Sequence, residues 1–376
     1  MRGQTIGIVG GGQLGRMLTL AALPLGFDVI VINPSQNSPA SQAGAKEIVA
    51  DLYDPKALRQ LAKRSDYVTV EIEHLDADIL AALAKRGKPV YPEPRIIKLI
   101  QDKLAQKEFL RKASVPVADF TKIDDKESAI RALHDFGGKM IIKTRLGGYD
   151  GRGNMVVGSE ADISKALQLF NGQALYAEKL VPFSKELAVM VARGVGGEVA
   201  AYPVVQTIHK RNICIEVLAP APVDSKVRVQ AQKIALKVAS LLNSAGTFGI
   251  EMFLTKDGKV LVNEIAPRVH NSGHYTMEAS RTSQFEQHIR AVTGLPLGDT
   301  SMVVPAAVMI NILGERDGPV LLDGLDRALE IPHVSMHLYG KSPTKVDRKM
   351  GHITATGKNL SEARRRARKA KKEISI

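Results

Sequence analysis

Two strand-like runs, residues 248–254 and 259–266, flank Asp257-Gly258, a dipeptide that favours a two-residue hairpin turn. Counting outward from that turn places Glu251 directly opposite Glu264. Opposed side chains have Cβ atoms about 4.5–5.5 Å apart, and like charges there repel. A solvated hairpin face would tolerate two glutamates, but these runs are apolar apart from the acids, Asn263 and, just beyond, Arg268. A hard cation between the carboxylates removes the repulsion, and Mg2+ carried by a nucleotide suits such a pair. The chain is therefore expected to hold an antiparallel sheet with a cation-binding acidic pair at Glu251 and Glu264.

The 376 residues are too many for one core, so two or three domains are expected. Over residues 1–98, apolar runs at 5–9, 29–32, 67–70 and 89–91 alternate with helical patterns at 14–23 and 55–63. That βαβ rhythm predicts a Rossmann-like parallel sheet. A helix over 102–111 ends at Ser114-Val115-Pro116. Residues 99–180 then form a small unit with strands at 140–143, 155–157 and 174–178 and a helix over 162–170. Residues 181–376 read as a larger, mostly antiparallel α+β domain with a helix over 227–242 and a basic C-terminal tail. The fold class is thus α/β and α+β.

Two glycine-rich segments invite phosphate. Gly10-Gly11-Gly12-Gln13-Leu14-Gly15 follows a strand and opens a helix, which aims backbone amides at an anion. A nicotinamide site would need an acid after the second strand, and Ile32-Asn33-Pro34 has none. The turn is expected to cradle another ligand's phosphate or simply to be tight. The second segment, residues 145–154, holds five glycines with Tyr149, Asp150 and Arg152, and Lys143 precedes it. It reads as a lid that closes over phosphates. Cys214 is the only cysteine, and no apolar run is long enough for a membrane, so a cytoplasmic enzyme is expected. The net charge of +13 is concentrated in residues 364–372, but there is no Trp and no interleaved aromatic pattern to stack bases. Small phosphorylated substrates are favoured over nucleic acid.

Together these features resemble the ATP-grasp superfamily and, within it, the N5-carboxyaminoimidazole ribonucleotide synthetases. The motifs are Gly11-Gly12-Gln13-Leu14-Gly15-Arg16-Met17, Gly147-Gly148-Tyr149-Asp150-Gly151-Arg152-Gly153, the run from Asn263 to His274, and Arg348-Lys349-Met350-Gly351-His352. They span nearly the whole chain. Asn154 stands where the family commonly has glutamine, and Glu71-Ile72-Glu73-His74 replaces its usual E-F-E-N.

The resemblance implies an ATP-grasp fold: a Rossmann-like N-terminal domain, a small lid subdomain and a large C-terminal domain. It implies phosphate contacts from Lys103 and Lys143, with Gly148, Tyr149, Asp150, Gly151, Arg152, Gly153 and Asn154 closing over them. Glu178, Lys179, Leu180 and Val181 would form the adenine hinge, with the Glu178 carboxylate reading the base. Glu186 would hold the ribose, His209 would line the pocket, and Asn263 and Glu264 would complete it. Mg2+, arriving with ATP, would sit on Glu251 and Glu264. The acceptor, 5-aminoimidazole ribonucleotide, would meet Gln13, Glu71 and Glu73 from the first domain, Tyr149, Asp150 and Arg152 from the lid, and Lys341 and Arg348 at its phosphate.

In the implied reaction, ATP and bicarbonate give carboxyphosphate, which carboxylates the amine. Arg268 would hold carboxyphosphate by its fork and Asn271 by its amide. His270 or His274 would manage protons, although either could equally be a buried structural histidine. A homodimer is the family's habit. Other ATP-grasp ligases would share the lid and the acidic pair but not the 268–274 run.

Overall fold

The computed structural model describes residues 3–148 and 153–376. Tyr149, Asp150, Gly151 and Arg152, assigned above to the lid, lie outside the described residues.

The first domain is a parallel sheet of β1 (Thr5–Val9), β2 (Asp28–Asn33), β3 (Lys46–Val49) and β4 (Tyr67–Val70), in the order β3-β2-β1-β4. Apolar residues of β1 and β2 are buried, and helices Gln13–Ala22 and Pro55–Lys63 cover opposite faces. The sequence reading missed β3, whose Lys46-Glu47-Ile48-Val49 has too few apolar residues to stand out. Residues 89–91, expected as a strand, make only a bridge between Val90 and Val68.

The small antiparallel sheet contains β5 (Phe120–Ile123), β6 (Met140–Thr144), β7 (Asn154–Val157) and β8 (Leu175–Lys179), ordered β5-β8-β6-β7. Residues 178–181 carry the chain from it into the large sheet.

That sheet has nine antiparallel strands: β9 (Phe183–Arg193), β10 (Val199–Ala201), β11 (Val205–Lys210), β12 (Ile213–Ala219), β13 (Gly246–Thr255), β14 (Val260–Ala266), β15 (Ala306–Leu313), β16 (Val334–Leu338) and β17 (Lys349–Gly357). The path is β14-β13-β9-β11-β12-β15-β17-β16, with β10 on β9. Helix Ser225–Leu242 buries Ala231, Ile234, Ala235, Val238 and Ala239 against β9 and β13.

The basic tail is helix Leu360–Glu373, which buries Ala363, Ala367 and Ala370 on the sheet. Its charge is partly structural, because Arg364 and Arg368 both reach the buried carboxylate of Glu216.

Candidate active site

The hairpin pairs Glu251 with Glu264 as expected, but by a different route. Thr255 N donates to Lys259 O at 2.9 Å, so the loop is the three residues 256–258, with Gly258 at φ +82°. A left-handed third position is what a three-residue hairpin loop needs. This shifts the register by one, and Leu254 pairs with Val260. A β-bulge beside Glu251 and Met252 leaves Asn263 extra and shifts the register back.

Burial, then the neighbouring Glu264, pushes the Glu251 carboxyl up to about 7. Lys103 Nζ donates to both Glu264 oxygens at 3.1 Å, and His270 Nε2 lies 3.5 Å from Glu251 Oε1. Two opposed carboxylates, one unable to ionise easily beside the other, fit a hard divalent cation. Glu186 and His209, given to the ribose and nucleotide pocket, pair with each other at 2.8 Å. Burial pulls the His209 imidazole down, but Glu186 outweighs it and the net shift is upward.

Beneath the small sheet lies a lysine cluster. Lys107 and Lys143 bind the two oxygens of Glu178 at 2.8 and 2.7 Å. Burial alone would raise the Glu178 carboxyl, but the two ammonium groups hold it down to about 2. Each Glu178 oxygen thus holds one lysine, and the expected adenine contact would share that carboxylate with them. The hinge backbone at Lys179, Leu180 and Val181 still links the two sheets. Asp102 caps the helix that starts at Lys103 and also takes the Arg145 fork, while Lys103 N donates to Arg145 O. Lys103 is thereby tied to the stem of the glycine-rich segment, where Asn154 stands opposite Lys143 and Gly148 and Gly153 flank the lid.

At the first-domain seam, the amides of Gly12 and Gly15 both donate to the Glu71 carboxylate. The anion cradle at Gly10–Gly15 is therefore filled from within the chain, which corrects the phosphate reading. A Cβ at Gly12 would come within 2.7 Å of Glu71 Oε1, so glycine is needed there. Burial raises the Glu71 carboxyl despite those amides and the nearby Lys341.

Glu73 takes the Arg268 fork at 2.6 and 3.0 Å. Burial acts to raise Glu73, and Arg268 reverses it to a net lowering. Glu73 thus takes two Arg268 N–H groups and Val269 O a third, which leaves two of the five donors of the guanidinium. Gln13 opens the first helix at the same seam. Gln42 donates to Gly340 O at 2.9 Å across the seam, and Lys341 Nζ donates to Lys349 O and lies over the Tyr339 ring. Arg348 donates to Pro343 O within its own loop.

The 270–274 run is pinned by Gln284, which sequence reasoning missed. Its Oε1 accepts from His270 N, and its Nε2 donates to His270 O and reaches His274 Nδ1 at 3.0 Å. Burial first, then Arg268 and Lys349, lowers the His270 imidazole well below its ordinary value. Its Nδ1 accepts from Ser272 N, so Nε2 carries the proton and faces Glu251. That arrangement suits His270 to orienting Glu251. His274 is buried against Phe285, Tyr339 and His352, and burial, followed by His270, keeps it neutral. Its burial among rings suits a structural histidine. Asn271 forms a reciprocal amide pair with Asn311, at 3.1 and 2.6 Å, so its amide is also engaged.

Residues 3–101 match the ribonucleotide synthetase preATP-grasp domain, 108–285 the ATP-grasp domain, and 307–366 the phosphoribosylaminoimidazole carboxylase C-terminal domain. A phosphoribosylaminoimidazole carboxylase of Ogataea methanolica is 46% identical over 97% of this chain and 69% of its own length. The chain spans about two thirds of the length of such fungal and plant carboxylases. The N5-carboxyaminoimidazole ribonucleotide synthetase of Thermotoga maritima superposes with a TM-score of 0.90 at 45% identity, covering 99% of both chains. The Aspergillus clavatus N5-carboxyaminoimidazole synthase, solved with ADP and 5-aminoimidazole ribonucleotide, has a TM-score of 0.91 at 37% identity and covers 98% of both chains.

Proposed function

This chain belongs to the N5-carboxyaminoimidazole ribonucleotide synthetase family of ATP-grasp ligases, and we propose that bicarbonate is activated beside its Glu251–Glu264 pair. The enzyme catalyses ATP-dependent carboxylation of 5-aminoimidazole ribonucleotide in purine biosynthesis. The observation that carries the site assignment is the opposed carboxylate pair, with Glu251 pushed up to about 7 and Lys103 held on Glu264.

Glu251 and Glu264 would hold Mg2+ brought by ATP, which would offset charge on the phosphates. Lys103 and Lys143 lie at the mouth of the small sheet, and both can turn from their carboxylates to phosphate oxygens. The segment 148–154 would cover the nucleotide, with backbone groups of 179–181 meeting the base. Glu186 and His209 would border the ribose side, and Asn263, extruded by the bulge, would reach the same pocket.

A bicarbonate oxygen attacks the γ-phosphorus as the bond to ADP breaks, giving carboxyphosphate. The acceptor's amine nitrogen then forms the new bond to the carboxyl carbon, the amine loses a proton and phosphate leaves. Arg268 acts from its Glu73 pair, presenting a fixed positive charge. Glu73 therefore positions Arg268, while Gln13 and Lys341 line the acceptor side. The same reading takes bicarbonate as the carbon source, a homodimer as the working state and the cytoplasm as the setting.

Coupled ADP release in the presence of 5-aminoimidazole ribonucleotide tests it. Release should require both the acceptor and bicarbonate. ADP release that ignores bicarbonate would overturn the proposed activation step.

A further inference from the structure

At the edge of the large sheet, three side chains outside the Glu251–Glu264 pair converge that the proposed reaction does not use. His337 on β16 and His352 on β17 are direct cross-strand partners, with rings stacked 4.6 Å apart. Glu278 comes from the short helix Thr276–Ala279, and its Oε1 lies 2.5 Å from His337 Nε2. One ligand atom from each of the three residues lies within 4.8 Å of the others.

Two atoms in this cluster are buried without a partner: Glu278 Oε2 and His352 Nε2. Such atoms are costly in a protein interior and call for an explanation. His352 is fully buried, and its Nδ1 is bonded to Tyr339 Oη at 2.9 Å. In the tautomer whose Nδ1 donates to that oxygen, Nε2 presents a lone pair. A lone pair and a carboxylate oxygen that share a pocket without a donor between them suit a cation.

The geometry points to a transition-metal site, of the Zn2+ class, built from Glu278, His337 and His352. Two imidazole nitrogens and one carboxylate oxygen select borderline metals, whereas Mg2+ and Ca2+ prefer oxygen alone. Tyr339 serves as the outer partner that fixes the His352 ring, as metal-bound imidazoles commonly require. On binding, the metal takes the place of the proton between His337 and Glu278. It ties the β16–β17 edge to the helix that follows the 270–274 run, where His274 already packs 4.9 Å from His352.

The test titrates the chelator-treated full chain with Co2+ and Zn2+. One equivalent of Co2+ should produce visible d–d bands that millimolar Mg2+ does not displace, and Zn2+ should abolish them. Glu278→Gln and His337→Gln should each weaken Zn2+ binding at least about tenfold, whereas Glu251→Gln should leave it unchanged. X-ray absorption of the Zn2+-loaded wild type needs no variant and should show two imidazoles in the first shell. A first shell without imidazole, or Co2+ bands that persist in both edge variants, would overturn the site.

Discussion

At the glycine turn of the first domain, the buried carboxylate of Glu71 receives two backbone amides, and its neighbour Glu73 receives a guanidinium fork. On the β13–β14 hairpin, the buried carboxylate of Glu251 meets His270 at 3.5 Å and faces another carboxylate. Both centres pair acids with anion-binding groups inside the protein. In the first, each carboxylate has an answering group from the chain, although burial still raises Glu71. In the second, Lys103 answers Glu264, but burial and like charge push Glu251 up to about 7, a deficit that a further cation would fill. A self-completed polar centre holds domains together, while an incomplete one waits for substrate. The lysine cluster lies between these cases: Glu178 is answered twice, yet by lysines that can be lent to phosphate.

If the seam is structural, removing half of it should cost stability more than any other change considered. Glu73→Ala leaves the Arg268 charge buried without its partner, and breaking a buried pair typically costs about 3–5 kcal/mol. Urea unfolding should register that loss. A change below about 1 kcal/mol with turnover abolished would move Glu73 into the catalytic group and collapse the distinction.

The lysine cluster should reveal itself through pH. Glu178 is held down to about 2 against an ordinary value of 4.5, so its pairing contributes stability above pH 4.5. That contribution fades as pH falls from 4.5 towards 2, because the unfolded chain takes up the proton first. The size is on the order of 3 kcal/mol. Glu178→Gln should flatten the stability–pH curve in that window. An unchanged slope would mean that the acid limb belongs to other carboxylates.

For the hairpin, Glu251→Gln and Glu264→Gln remove the repulsion along with the cation site. Turnover at ordinary Mg2+ should fall at least about a hundredfold, which corresponds to about 2.7 kcal/mol. Folding should be unharmed and thermal stability equal or slightly higher, the opposite of the seam. Wild-type rates in either variant would end the assignment.

Local patterns made much of this legible in the sequence. β1, β4 and helix Pro55–Lys63 follow from apolar periodicity, and the Glu251–Glu264 opposition follows from the turn. The pair was reached through two compensating features, a longer loop and a bulge, neither of which periodicity reveals. Lys107 was missed because a fully buried lysine looks ordinary until its partner is known, although its i+4 spacing from Lys103 puts both on one helix face. Gln284 was missed because its three bonds to the 270–274 run arise only in tertiary contact. The choice between a phosphate cradle and a tight turn at Gly10–Gly15 is not legible in the sequence, because the carboxylate that fills the turn comes from 56 residues further along the chain.

The acceptor phosphate offers the finest test, because Lys341 and Arg348 occupy the loop between β16 and β17 yet differ in setting. Lys341 stands at the seam, close enough to act electrostatically on Glu71, and Gly340 beside it is tied to Gln42 of the first domain. Arg348 is turned back onto Pro343 of its own loop. A charge-assisted contact to phosphate is worth about 1.5–3 kcal/mol, or about a tenfold to hundredfold rise in apparent KM when it is removed. Lys341→Ala should raise the acceptor's KM within that range. Arg348→Ala should do so less, because Lys341 acts on Glu71 at the seam whereas Arg348 is held within its own loop. The KM for ATP should stay nearly constant in both variants, since the nucleotide has Lys103 and Lys143. If the two variants weaken ATP instead, the β16–β17 loop serves the nucleotide. If neither changes any KM, the segment is a solvated basic surface. Equal losses for both would mean that Arg348 swings fully onto the phosphate when the acceptor arrives.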